Sequence, residues 1–297
     1  WLLIRISTAL NTLMPYSKNT LALIIHLPNQ LTTQMFGELN TMEEENRMLE
    51  KTTLNKLYDL RLPTIASKLS EQQDQPEILS LPFEERLGLL VDAEWMAKKE
   101  KKIDRFVRQA NFRFPAVIED IEYSGKHGIT KKDVLKFSQC SYIHKKQNIL
   151  VSGLTGIGKT YLICALGRSA CYQCLAVRYF RTADLFLELS CAQLDGKYLS
   201  FRKQLSKLPL LILDDWGLKP FSEEESYEIL ELMELRYQNG STIIASQLPW
   251  TSWHELFPDP TIADAVLDRV VHNSYRFDLS GESMRKILAE KEFERES

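Results

Sequence analysis

The sequence predicts an α/β protein, a parallel sheet between helices, preceded by a small all-helical N-terminal domain. Three observations predict it. From about residue 129, short apolar runs alternate with helical stretches, the pattern of strand–helix units. The first run, Asn148–Ser152, leads into Gly153-Leu-Thr-Gly-Ile-Gly-Lys-Thr160, which fits G-x-x-x-x-G-K-[ST] at every fixed position. A later run, Leu210-Leu-Ile-Leu213, ends in the acidic pair Asp214-Asp215.

At 297 residues the chain has room for one domain of ordinary size and a smaller one. The net charge of -3 gives no chain-wide signature of nucleic-acid binding, so any basic footprint must be local. The five cysteines are too irregular for a disulfide framework, and Cys171-x-x-Cys174 has no second pair or histidine cluster to complete a zinc site. They read as reduced thiols, which with Leu21–Ile25 too short to span a bilayer predicts a cytoplasmic protein with no membrane partner.

Residues 1–41 differ in character from the rest. They are expected to lie upstream of the natural start, at Met42 or Met48, or to be disordered. Residues 42–123 read as the helical domain, for DNA or partner binding. Leu54, Leu57, Leu60 and Leu62 keep apolar spacing until Pro63 breaks the run, and Pro82 suits the first turn of a helix over Phe83–Leu90. Further on, Met96, Ile103, Val107 and Ala110 fall on one helical face, with Lys98, Lys101, Lys102, Arg105 and Arg108 on the opposite face. Such a face suits the phosphates of duplex DNA. It also suits plain solvation, since Glu94, Glu100 and Asp104 lie close by.

Residues 124–297 read as the nucleotide domain. Strands are expected over Leu175–Phe180, Leu208–Leu213, Ser241–Ser246 and Tyr275–Leu279, and helices over Tyr161–Gly167, Ala183–Leu189, Glu223–Gln238 and Asp264–Arg269. Ligands of such a sheet gather at the carboxyl ends of its strands. Gly153, Gly156 and Gly158, with Leu154, Thr155 and Ile157 between them, let the backbone curl until its N–H groups meet phosphate oxygens. Lys159 supplies a point charge for the β- and γ-phosphates, and the Thr160 hydroxyl a ligand for Mg2+. Asp214 is the expected Mg2+ carboxylate, and Asp215 is placed to polarise the attacking water. Gln247 or Ser246, closing a strand, is placed between the two motifs near the γ-phosphate. Arg269 ends a helix and suits either a neighbour's phosphates or a surface ion pair with Asp268 or Asp264. The guanine signature Asn-Lys-x-Asp does not occur, which favours ATP.

Together, Gly153–Gly167, Leu210–Gly217, Ala245–Pro249 before Trp253-His254, and Asp268–Asn273 followed by Gly281–Lys286 resemble the IstB family. These are helper ATPases encoded beside the transposase of bacterial insertion sequences. They are AAA+ P-loop NTPases similar to the helicase loader DnaC and, more distantly, to the initiator DnaA. The resemblance runs from about Thr52 to Lys291 and takes in Arg61-Leu-Pro63 and the basic helix. It implies an AAA+ core that binds ATP and Mg2+, with Gly153–Thr160 as Walker A and Asp214 as the metal carboxylate. Asp215 stands where many AAA+ proteins carry Glu, so slow hydrolysis is expected. Gln247, or Ser246, would be sensor one, where Asn is common. Arg269 would be the arginine finger and Arg285 a sensor-two residue, although the short tail after Gly281 has no room for a full helical lid. The implied partners are duplex DNA, a cognate transposase and further copies of the chain assembled with ATP. A DnaC-like loader of a replicative helicase shares this core. A nucleotide-gated binding module with little turnover also stays open, because Asp replaces Glu at 215. A small-molecule kinase has no acceptor-site motif to support it.

Overall fold

The computed structural model describes residues 51–121, 123, 128–281 and 283. Residues 1–41, Met42, Met48 and Arg285 lie outside them. The chain divides into two compact units, Trp1–Ala97 and Lys98–Ser297.

In the first unit residues 51–59 are helical, followed by α1 (Pro63–Gln73), α2 (Pro76–Leu79) and the first part of α3 (Phe83–Ala110). Pro63 both ends one helix and begins the next, where its missing N–H is no loss. No side chain at the N-cap of α1 bonds its first amides. Glu94 does so from α3, accepting from the backbone N–H of Thr64 and Ile65 at 2.9 and 3.0 Å. A carboxylate there also meets the positive end of the helix dipole. Glu94 is therefore a buried structural acid rather than a solvated neighbour of the basic face. Met96 differs from expectation too and is exposed. Leu90 and Glu94, one turn apart, set the inner stripe, and a residue two positions past Glu94 is turned about 200° away from it.

In the second unit α3 continues, with Lys98, Lys101, Lys102, Arg105 and Arg108 all exposed. Lys102 and Arg105 lie over the Phe106 ring at 5.6 and 5.3 Å. Ile103 and Val107 are half-buried, and Ala110 is fully buried. Two short helices follow, α4 (Lys131–Ser138), which starts at a Thr130–Asp133 capping box, and α5 (Ser141–His144).

Five parallel strands form one sheet in the order β2-β3-β4-β1-β5. They are β1 (Asn148–Gly153), β2 (Val177–Arg181), β3 (Leu210–Trp216), β4 (Ser241–Ser246) and β5 (Ser274–Leu279). Their continuous apolar runs are explained by burial on both faces. Ile149, Val151, Leu210, Ile212 and Ile243 point into one core, with α6 (Lys159–Tyr172) and α4. Leu150, Leu211, Leu213 and Ile244 point into the other. There they meet α7 (Thr182–Leu194), α9 (Glu223–Arg236) and α10 (Pro260–Val271), joined by Leu205 of α8 (Tyr198–Ser206). Among the described residues no helix is long and apolar enough to cross a membrane.

The strand order places the chemistry. β3 is not the direct neighbour of β1, as reading its acidic pair beside the phosphate loop would have it. β4 lies between them. The residue that follows β4 therefore stands between the phosphate loop and the acidic pair.

Candidate functional site

The phosphate loop leaves the carboxyl end of β1 and enters α6 at Lys159. Two of its glycines are required by shape. Gly158 is the left-handed N-cap of α6, at φ 100°. Gly153 has φ 147°, and a Cβ there would lie 2.5 Å from the carbonyl oxygen of Leu279 on β5. Lys159 is buried, and its Nζ donates to the carbonyls of Gly153 and Leu154 at 2.6 and 2.9 Å. Burial lowers the Lys159 pKa, against the opposing pull of Asp214 and Asp215.

Asp214 is 1% exposed, and its carboxylate is filled with donors. Thr160 Oγ1 and the Tyr179 hydroxyl donate to Oδ2 at 2.7 and 2.8 Å, and the Asp215 amide donates to Oδ1 at 2.9 Å. Thr182 Oγ1 donates to its backbone carbonyl at 2.9 Å. Burial, with the Asp214 charge beside it, pushes the Tyr179 hydroxyl far above the usual tyrosine range, so it remains a donor at any working pH.

Asp215 is presented differently. The β3–β4 register shifts between Leu213 and Trp216, and Asp215 takes a left-handed φ of 55°. The bulge turns its carboxylate toward two guanidiniums. Arg181 Nε donates to Oδ2 at 2.9 Å, and Arg113 approaches the same oxygen to 3.7 Å. The hydrogen bond with Asp215 raises the Arg181 pKa, so that cation is fixed.

A cavity of about 310 Å3 joins these parts, lined among others by Arg113, Phe114, Lys159, Thr160, Asp215 and Gln247. Gln247 Oε1 accepts from Thr155 Oγ1 of the loop at 2.7 Å. Ser246 instead points inward, where its hydroxyl donates to the Trp216 carbonyl and accepts from the Leu248 amide. Of the two residues closing β4, only Gln247 faces the cavity.

Arg269 is not brought to this site within the chain. It lies in the last turn of α10, where it pairs with Glu234 and donates to the Ala265 carbonyl at 2.7 Å. Its own carbonyl accepts from Asn148, at the amino end of β1, whereas the phosphate loop leaves the carboxyl end. Arg113, Phe114, Tyr179 and Arg181 were missed by sequence reasoning. Arg181 follows an expected strand by one residue, and the rule that ligands gather at carboxyl ends could have found it. No spacing signal marks Arg113.

The residues present fit Mg-ATP. The loop offers backbone N–H groups at the N-terminus of α6, an anion site by geometry and dipole. Thr160 Oγ1 and Asp214 Oδ2 are hard oxygen donors 2.7 Å apart, near the spacing of adjacent ligands on a small octahedral cation. The family described as IstB-like ATP binding protein matches residues 55–291. The chain belongs to the IstB-like ATP-binding family. An insertion sequence ATP-binding protein of Sinorhizobium fredii, y4pL, is 42% identical over 239 residues, which span 80% of this chain and 98% of that protein. The ATP-binding protein of insertion sequence IS21 from Pseudomonas aeruginosa is 27% identical, over 77% of this chain and 86% of its own. In fold, this IstB-like chain matches AMPPCP-bound DnaA from Aquifex aeolicus with a TM-score of 0.50 at 19% identity, over 62% of this chain and 56% of that one. The sheet and its flanking helices thus share the fold of that DnaA, the AAA+ fold that the motifs led one to expect.

Proposed function

We propose that this IstB-like protein is an ATP-hydrolysing helper of insertion-sequence transposition. In this reading it binds duplex DNA through α3, assembles with copies of itself when ATP is bound, and assists a transposase in the bacterial cytoplasm. The observation that carries it is that one compact unit holds both the cavity lined by Lys159, Thr160 and Asp215, with Asp214 bonded to Thr160 beneath it, and the exposed basic stretch Lys98–Arg108. Lys159 and the loop amides hold the phosphates. Thr160 and Asp214 would hold Mg2+, which neutralises charge on the β- and γ-oxygens. Asp215 accepts a proton from the attacking water, and Gln247 orients that water. Arg269, at the far end of the sheet from its own loop, serves the site of a neighbouring subunit in the assembly.

The test is duplex-DNA affinity as a function of salt, for wild type and for the triple variant Lys101→Glu, Lys102→Glu, Arg105→Glu. The variant is expected to bind more weakly and to lower the slope of log affinity against log salt by about 3, roughly one for each phosphate no longer neutralised. An unchanged slope would remove α3 from DNA recognition.

A second reading, a nucleotide-gated module with little turnover, is favoured by one observation. The expected base, Asp215, is engaged on one oxygen by both Arg181 and Arg113. Asp215→Asn separates the two readings. For a hydrolase, steady-state phosphate release is expected to fall about 100- to 10,000-fold while ATP binding is retained. Equal release by wild type and variant would favour the module.

A further inference from the structure

We propose that Arg113 is a phosphate-sensing residue of this chain, whose guanidinium exchanges Asp215 for the terminal phosphate of bound ATP. The proposal rests on the cavity being the nucleotide site and is independent of DNA and transposase.

Arg113 belongs to neither nucleotide motif and comes from a separate part of the chain. It follows α3 by three residues, and a short strap holds it over α6. Asn111 turns the chain out of the helix with a left-handed φ of 55°. The Phe112 ring then packs on Gly167 so closely that a Cβ there would meet it at 2.6 Å. Arg168 fastens the far side, donating to the Pro115 carbonyl at 3.0 Å. Between them, the amides of Arg113 and Phe114 face the sulfur of Cys164, one helical turn beyond Thr160. The strap is thus fixed at both ends, and the Arg113 side chain reaches from it into the cavity that Lys159 and Thr160 also line.

The two guanidiniums on Asp215 are not equivalent. Arg181 makes a true hydrogen bond at 2.9 Å. Arg113 stands at 3.7 Å, beyond hydrogen-bond length, although the two side chains are about equally exposed. By distance to Asp215 it is the more weakly held of the two, its guanidinium resting over the Phe114 ring at 5.7 Å. A triphosphate in the cavity offers it more negative charge than one shared carboxylate oxygen, and a planar fork binds phosphate with two parallel N–H bonds. Asp215 then keeps one cation instead of two, and with less positive charge beside it the carboxylate takes a proton more readily. ADP lacks the terminal phosphate and draws Arg113 away less. The same movement therefore reads the presence of the γ-phosphate and readies the base.

The test measures binding of fluorescent ATP and ADP analogues to the full chain, with Lys159→Ala as control. For Arg113→Ala, ATP affinity is expected to fall about 10-fold or more, the weight of a charge-assisted hydrogen bond, while ADP affinity changes less than about twofold. Arg113→Lys, with a charge but no fork, should recover part of the difference. Asp215→Asn, which leaves the strap untouched, should raise ATP affinity several-fold and ADP affinity little, because Arg113 no longer has to leave a carboxylate. Equal losses for ATP and ADP in Arg113→Ala, or no rise in Asp215→Asn, would overturn the proposal. Wild type that binds neither nucleotide would overturn the cavity assignment itself, a separate result.

Discussion

Lys159→Ala is expected to lower ATP affinity and turnover by at least about 100-fold, the loss typical of removing one preorganised donor to a charged centre. Two effects add. The β- and γ-phosphates lose a cation that lines the cavity and offsets the negative charge of Asp215 in its wall and of the buried Asp214 nearby. The loop also loses its own staple, since Lys159 Nζ bonds the carbonyls of Gly153 and Leu154. Lys159→Arg separates the effects. It keeps the charge, but its planar fork does not reproduce the two hydrogen bonds of a compact ammonium. Isothermal titration with ATP measures the change. Affinity within threefold of wild type in Lys159→Ala would remove this loop as the phosphate site.

Arg236→Ala is expected to destabilise the second unit by about 3 kcal/mol or more, because several buried acceptors lose their donors at once. Arg236 is 2% exposed. Its partners are the carbonyls of Leu205, Leu208 and Ser241 and the hydroxyl of Thr242, with no carboxylate among them. Burial pushes its pKa down to about 9, which still leaves it charged at neutral pH. One guanidinium thus ties the end of α8, the approach to β3 and the start of β4. For a unit of this size the loss corresponds to a fall in melting temperature of roughly 6–12 °C, readable by calorimetry. A fall under 2 °C would show that the carbonyls find other donors. The nucleotide cavity lies at the opposite end of β4, so ATP affinity measured below the transition should change little.

Both residues lie in segments that could be read from sequence, but not equally well. Lys159 is defined by a local pattern, because the loop needs its glycines, lysine and threonine at fixed spacing. The strands were legible for the same reason, since Leu210–Leu213 and Ile243–Ala245 are apolar without interruption and read as buried on both faces. Arg236 looked like one more polar residue near the end of an amphipathic helix. Its burial comes from carbonyls 5 to 31 residues away, which no periodicity reveals. Glu94 is similar, since in sequence it is one of three acids beside the basic face, yet it caps a helix 30 residues earlier in the chain. Arg113 and Arg181 reach Asp215 only after the β3 bulge has turned it, and a bulge leaves no mark in a run that still reads as a strand. The groups proposed to hold phosphate were therefore legible in sequence, whereas those that hold the carboxylates came together only in the fold.

The left-handed turn at Asp215 also bears on which acid can occupy the position. Aspartate and asparagine enter that backbone region several-fold more readily than most residues, because a short polar side chain can bond its own neighbourhood, whereas a longer chain bears the usual penalty of roughly 1–2 kcal/mol. A glutamate here would gain reach toward water and strain the backbone that aims it. The shorter acid thus has a conformational rationale apart from its proton chemistry. Lengthening the arm to speed hydrolysis would require relaxing the bend as well, a two-residue change rather than one.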